Sequence, residues 1–156
     1  MRFTDALDRA AEEIKRPSNM PIGHYIWQVI KHPEVTTFKD QDGNEGDRID
    51  FVCQCVSPTD DVDPDELSAY GDVTKVQLRK TFFVSDGAVD KVAYEKGMYR
   101  FKQFACVALG QPETSTVSEL LANAQGCRFL GELTLRPDKE NPEVMYDNLG
   151  ATAPEA

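Results

Sequence analysis

Residues 21–30, Pro-Ile-Gly-His-Tyr-Ile-Trp-Gln-Val-Ile, constrain the fold more than any other stretch of the chain. A side-chain period of two puts Tyr25, Trp27 and Val29 on one side and Ile26, Gln28 and Ile30 on the other. Aromatic and β-branched residues favour a pleated strand. His32-Pro33 closes it, since proline has no N–H to give to a ladder. Both faces carry apolar groups, so the strand is expected to be covered on both sides or shared between two sheets. In a small barrel that place belongs to a first strand that bends near a glycine and pairs with neighbours in both halves. Alternation alone leaves two roles open for Trp27, core residue or exposed aromatic platform. The tyrosine and valine on its face favour burial.

The rest of the chain reads as strands and helices added to this one. Residues 3–16 carry a helical stripe, Leu7, Ala10, Ala11 and Ile14, with Thr4 as N-cap and Pro17 as stop. Residues 16–21 are an extended lead-in, so this helix is expected to pack on the outside or on a partner. Residues 40–47 (Asp-Gln-Asp-Gly-Asn-Glu-Gly-Asp) superficially suggest a calcium loop but lack the spaced ligands and terminal glutamate of an EF-hand, so a hairpin turn is expected. A second strand follows with Ile49, Phe51, Cys53 and Cys55 inward and Val52 and Val56 on its other face.

Residues 57–73 form the longest irregular segment, with one helical turn where Asp63 caps and Pro64 takes the first position. A third strand over 76–84 sets Val76, Leu78, Phe82 and Val84 against Arg79, Thr81 and Phe83. Lys80 interrupts the inward set and implies a twist or a partly open face there. Over 90–109 the period becomes helical, through Tyr94, Met98, Phe101, Ala105 and Ala108, with Gly97 a weak point and Gly110 the end. Thr116 and Glu119 match a capping box that opens a short helix. Phe129, Gly131, Leu133 and Leu135 alternate along a fourth strand, 143–149 make a fifth, and 150–156 read as disordered.

Three strands, a helix, a short helix and two strands give an α+β chain, mainly β. The expected architecture is a five-stranded OB-fold-like barrel with a helix between strands 3 and 4 and an added N-terminal helix. The expected organisation is an N-terminal helix and lead-in over 1–19, the barrel domain over 20–150 and a tail over 151–156. At 156 residues the chain is long enough for one real core, and no apolar run approaches a membrane span. The first residues lack a signal-peptide apolar region, which sets the expectation of a cytoplasm. Cys53, Cys55, Cys106 and Cys127 lie in or beside apolar segments and read as free structural thiols. No cofactor or metal is expected. Neither a phosphate-cradling glycine loop nor a Ser-His-Asp order occurs, so an enzyme is not expected.

The net charge of −10 weighs against nucleic acid, but its distribution does not. Asp60, Asp61, Asp63, Asp65, Glu66 and Asp72 fill 57–73 without a basic residue. Over 74–109 the cations outnumber the carboxylates. The result is a polarised surface.

Several runs together resemble a family of phage-encoded proteins of which some members look like OB-fold single-stranded-DNA-binding proteins of replication or recombination. These are Met-Pro-Ile-Gly-His-Tyr at 20–25, the helix 101–110 ending Ala-Leu-Gly, the run from Glu119-Leu120-Leu121 to Phe129-Leu130-Gly131, and Val-Met-Tyr-Asp-Asn at 144–148. The final Ala-Pro-Glu-Ala departs from bacterial single-strand binders, having neither an acidic run nor a terminal aromatic. That departure counts against recruitment of host replication proteins through the C-terminus.

The resemblance implies a non-enzymatic protein that coats single-stranded DNA in a host cytoplasm with little sequence preference. Coating requires exposed aromatic faces for stacking and cations along the phosphates. The candidates are Trp27 and Phe83 as platforms, with Arg79, Lys80, Lys102 and Arg128 as phosphate contacts. A homodimer or larger assembly is expected from the N-terminal helix, with phage replication or recombination proteins as further partners. The alternative is an acidic interaction protein, either a DNA mimic acting on a host nucleic-acid enzyme or a virion assembly component, carried by the 60–72 cluster.

Overall fold

The computed structural model describes residues 2–155. It is a mixed α+β structure built on an open six-stranded sheet. The strands are β1 (Gly23–Val29), β2 (Glu34–Lys39), β3 (Glu45–Pro58), β4 (Gln77–Ser85), β5 (Arg128–Pro137) and β6 (Met145–Ala153). They run in the order β2-β3-β1-β5-β6 with β4 also paired to β3, and each of these pairings is antiparallel. Three helices, α1 (Pro64–Tyr70), α2 (Lys91–Lys102) and α3 (Val117–Ala122), occupy the connections.

β1 does pair on both sides, with β3 along one edge and β5 along the other, and its register slips between Ile26 and Trp27. Only one of its faces is fully covered. Tyr25, Trp27 and Val29 are buried, whereas Ile26, Gln28 and Ile30 are half-buried. The longest strand is β3, whose first half is sandwiched between β2 and β4 and whose last residues pair with β1. β2 is a sixth strand that the sequence reading lacks. Its hairpin turns at 40–44, where Asp40 accepts hydrogen bonds from the backbone N–H groups of Asp42 and Asn44.

The core gathers on the face of Phe51. Phe82 lies edge-on at 5.9 Å, Phe101 stacks at 6.2 Å, and Phe104 packs at 4.9 Å with Phe129 beyond it at 5.1 Å. Aromatic pairs at these separations add specific geometry to the large apolar area each ring buries. α2 delivers Phe101, and a π turn over Gln103–Ala108 continues it, delivering Phe104, Ala105 and Ala108. The helical stripe read from the sequence steps from Phe101 to Ala105, passing over Phe104, and assigns Tyr94 inward, but Tyr94 is exposed. Gly97 is not a weak point. A Cβ there would sit 2.7 Å from the Phe83 carbonyl oxygen, so the glycine lets α2 lie directly on β4.

Two caps match the sequence reading: Asp63 accepts from the N–H groups of Asp65 and Glu66 at the start of α1, and Thr116 accepts from Glu119 at the start of α3.

Both chain ends depart from expectation. Residues 3–16 do not form one helix. They make two short 3-10 turns, Phe3–Ala6 and Ala11–Glu13, with Arg2 rather than Thr4 at the first cap. The stripe residues Leu7, Ala10, Ala11 and Ile14 are all exposed, and a helix of that length is marginal without a covering surface. The predicted disordered tail continues β6, with Ala153 opposite Leu130 and Glu155 paired to Arg128 at 3.2 Å. Ala156 lies outside the described residues. No helix among the described residues is long and apolar enough to cross a membrane.

Candidate nucleic-acid interface

Opposite the core, the outer face of β2, β3 and β4 carries an aromatic pair set in polar groups. Register fixes the neighbours: Arg48 stands opposite Phe83, Asp50 opposite Thr81, and Phe38 opposite Gly46. Gly46 makes room for the Phe38 ring, since a Cβ there would meet ring carbons at 2.7 and 2.8 Å. Phe38 then lies edge-on to Phe83 at 5.1 Å. Phe83 remains 52% exposed. The Arg48 guanidinium sits 5.9 Å from the Phe83 centroid, and its Nε is 3.0 Å from the Asp50 carboxylate. Asp50 is buried and also accepts the Thr81 hydroxyl hydrogen bond. The buried carboxylate therefore fixes Arg48 beside the ring.

Phe83 borders a cleft of about 550 Å³ between the free edge of β4 and β6. Arg48, Arg79, Lys80 and Arg136 bring four cations to its walls, with Asp147 and Asn148 across from them. β4 and β6 are not hydrogen-bonded as a ladder. The Lys80 ammonium bridges them, donating to the Gly150 carbonyl at 2.8 Å and the Leu149 carbonyl at 3.5 Å. Burial lowers the Lys80 pKa. The lysine that interrupts the inward pattern of β4 is thus the group that spans the seam. Burial likewise raises the Asp147 pKa, although the Met20 N–H donates to its carboxylate at 3.1 Å. Arg79 and Arg136 are exposed and form no ion pair among the described residues.

Three of the six sequence candidates, Arg79, Lys80 and Phe83, converge here. Lys80 is committed to carbonyls rather than free for a phosphate. The other three lie elsewhere. Trp27 is no platform: it is completely buried, its indole N–H donates to the Gly131 carbonyl at 3.2 Å, and Tyr25 flanks it at 6.1 Å. Gly131 is required beside it, because a Cβ there would sit 2.8 Å from the indole Cδ1. Lys102 lies on α2, 3.6 Å from Glu113 and outside this cleft, and Arg128 is held by Glu155. Phe38, Arg48 and Arg136 complete the surface and were missed. Arg48 was within reach of the sequence, since alternation puts it on the face opposite Ile49. Phe38 and Arg136 depended on a strand and a crossing that pattern alone does not reveal.

The acidic segment is exposed, but half of its carboxylates have structural work. Asp63 caps α1, Asp72 caps the turn at Val73–Lys75, and Asp61 holds the β1 end of the chain. The Asp61 carboxyl is lowered to about 2 by the His24 ring, the His24 N–H and the Thr59 hydroxyl. Asp60, Asp65 and Glu66 project freely.

No family model matches the chain, and no curated protein sequence matches it.

Proposed function

We propose that this chain binds single-stranded DNA on the outer face of β3 and β4, as an OB-fold-type protein of phage replication or recombination in a host cytoplasm. The observation that carries the reading is the half-exposed Phe83, held by Phe38 and Arg48 at the mouth of a cleft walled by Arg79 and Arg136. An aromatic face with cations on either side is what sequence-tolerant strand binding requires.

Topology supports the same reading. With the β2 hairpin set aside as an insertion, the adjacency β4-β3-β1-β5-β6 with α2 between β4 and β5 matches the five-strand OB plan. In that plan β3 and β4 take the place of the second and third strands, whose outer face binds oligonucleotides. The β2 hairpin and the 138–144 turn then take the places of the two loops that border such a face. The overall charge of −10 is no obstacle to a locally basic cleft, since Arg48, Arg79, Lys80 and Arg136 line it against one carboxylate, Asp147.

Titration of labelled poly-dT and of duplex, each at two salt concentrations, tests the reading. Single strands are expected to bind more tightly, with affinity falling as salt rises. Phe83→Ala is expected to lose ~1–3 kcal/mol of binding with little change in melting, because the ring is half in solvent. Absence of binding to both substrates would overturn the proposal and favour the acidic interaction protein, with Asp60, Asp65 and Glu66 as its contacts.

A further inference from the structure

We propose that residues 3–14 of one copy fold as a helix into the groove between α2 and α3 of a second copy. The arm carries Phe3, Leu7 and Ile14 at helical spacing, and these side chains are 85%, 68% and 62% exposed. Among the described residues, every hydrogen bond and ion pair of residues 2–13 stays within the arm. The chain first engages the body at Arg16, which donates to the Met145 carbonyl at 2.7 Å and stacks on Tyr146. The sequence thus encodes an amphipathic helix for which the chain's own packing supplies no surface. A short helix gains its stability from the face it buries, so this one forms when a surface is offered.

A matching surface exists elsewhere on the molecule. Tyr94, Met98, Tyr99, Cys106, Val117 and Leu120 line an apolar groove of about 380 Å³ along α2. Tyr99 is 59% exposed and Val117 is exposed, so the groove lacks an occupant. Lengths agree: 3–14 matches the 12 residues of α2, and each spans ~18 Å as a helix at 1.5 Å per residue. The arm carries Asp5, Asp8, Glu12 and Glu13 against the single Arg9, whereas α2 carries Lys91, Lys96, Arg100 and Lys102 against the single Glu95. The groove's own charged lining is Glu95, Glu113 and the Lys102 paired to it, so the attraction comes from the rest of α2. Opposite charge steers and orients the approach of an acidic helix along a basic one. Because both parts belong to every copy, the contact either closes as a reciprocal exchange of arms in a dimer or extends from copy to copy. The contact lies away from the Phe83 cleft, and its test needs no DNA.

Light scattering and far-UV circular dichroism across micromolar to submillimolar protein test this. The wild type is expected to exceed the 17.4 kDa monomer mass and to gain helix as concentration rises. Leu7→Asp in the arm and Tyr99→Asp in the groove are each expected to remain monomeric. Val117→Asp serves as a second groove variant, since an aspartate in the first turn of α3 suits the helix. Mixing the arm variant with a groove variant is expected to restore association, because one supplies an intact groove and the other an intact arm. A wild type that stays monomeric throughout would overturn the proposal, including one whose helicity is lost in Leu7→Asp and which therefore docks its own arm. Association that survives both substitutions, or a mixture that fails to associate, would also overturn it.

Discussion

Replacing Trp27 with phenylalanine separates a core role from a stacking role. The indole is completely buried, its N–H donates to the Gly131 carbonyl, and Gly131 has no Cβ because the ring occupies that space. Phenylalanine leaves a void of roughly 40 Å³, which at ~24 cal/mol per Å³ costs about 1 kcal/mol. Loss of the indole hydrogen bond costs about 1 kcal/mol more. The sum, about 2 kcal/mol, corresponds to a melting point lowered by ~4–8 °C in a domain of this size. Thermal unfolding followed by far-UV circular dichroism measures it without relying on the missing fluorophore. Poly-dT affinity is expected to be unchanged, and native tryptophan emission is expected to be unquenched by the strand. An unchanged melting point together with weakened DNA binding would refute the core assignment.

Gly131→Ala is expected to destabilise more than a typical surface change, because its Cβ would meet Leu149 Cδ1 at 2.6 Å as well as the indole; urea unfolding checks this. Asp61 titrates at about 2 when folded and near the ordinary ~3.9 when unfolded, so its contribution is complete above about pH 4 and disappears as pH falls toward 2. Asp61→Asn is therefore expected to remove part of the stability lost across that acid window, read from denaturation midpoints on either side of it. Burial pushes the Cys53 and Cys55 thiols up to about 12, so iodoacetamide near neutral pH is expected to spare both in the native protein and label them after unfolding. Mass spectrometry of labelled peptides would expose any native reactivity at either residue.

Local pattern made much of the core legible. Alternation identified Tyr25, Trp27 and Val29 as one face and Ile49, Phe51, Cys53 and Cys55 as another, because a half-buried strand leaves a period of two in its residues. Caps at Asp63 and Thr116 were legible for a similar reason: their hydrogen bonds reach only two or three residues ahead. β2 was not, since Glu34–Lys39 is an edge strand exposed along most of its length and carries little apolar signal. Phe104 escaped because the stripe stepped four residues from Phe101 to Ala105, although a three-residue step reaches Phe104 on the same side. The β6 extension escaped because Gly150–Ala153 has almost no side chain to pattern, and its order comes from pairing with β5. At the candidate interface, Phe83 and Arg79 were legible as outward residues of one strand. Arg136 joins them only through the approach of β6 to β4, a long-range event that no local period encodes.

The salt dependence of poly-dT binding in an Arg79→Glu, Arg136→Glu variant tests the central claim most directly. Both side chains are exposed, unpaired among the described residues, and lie on the cleft beside Phe83, so the variant is expected to fold with an unchanged melting point. Loss of two phosphate contacts on a single strand is expected to weaken binding and reduce the slope of log K against log salt by ~1.4. Equal affinity and an equal slope in the variant would remove this cleft from the path of the strand and contradict the account.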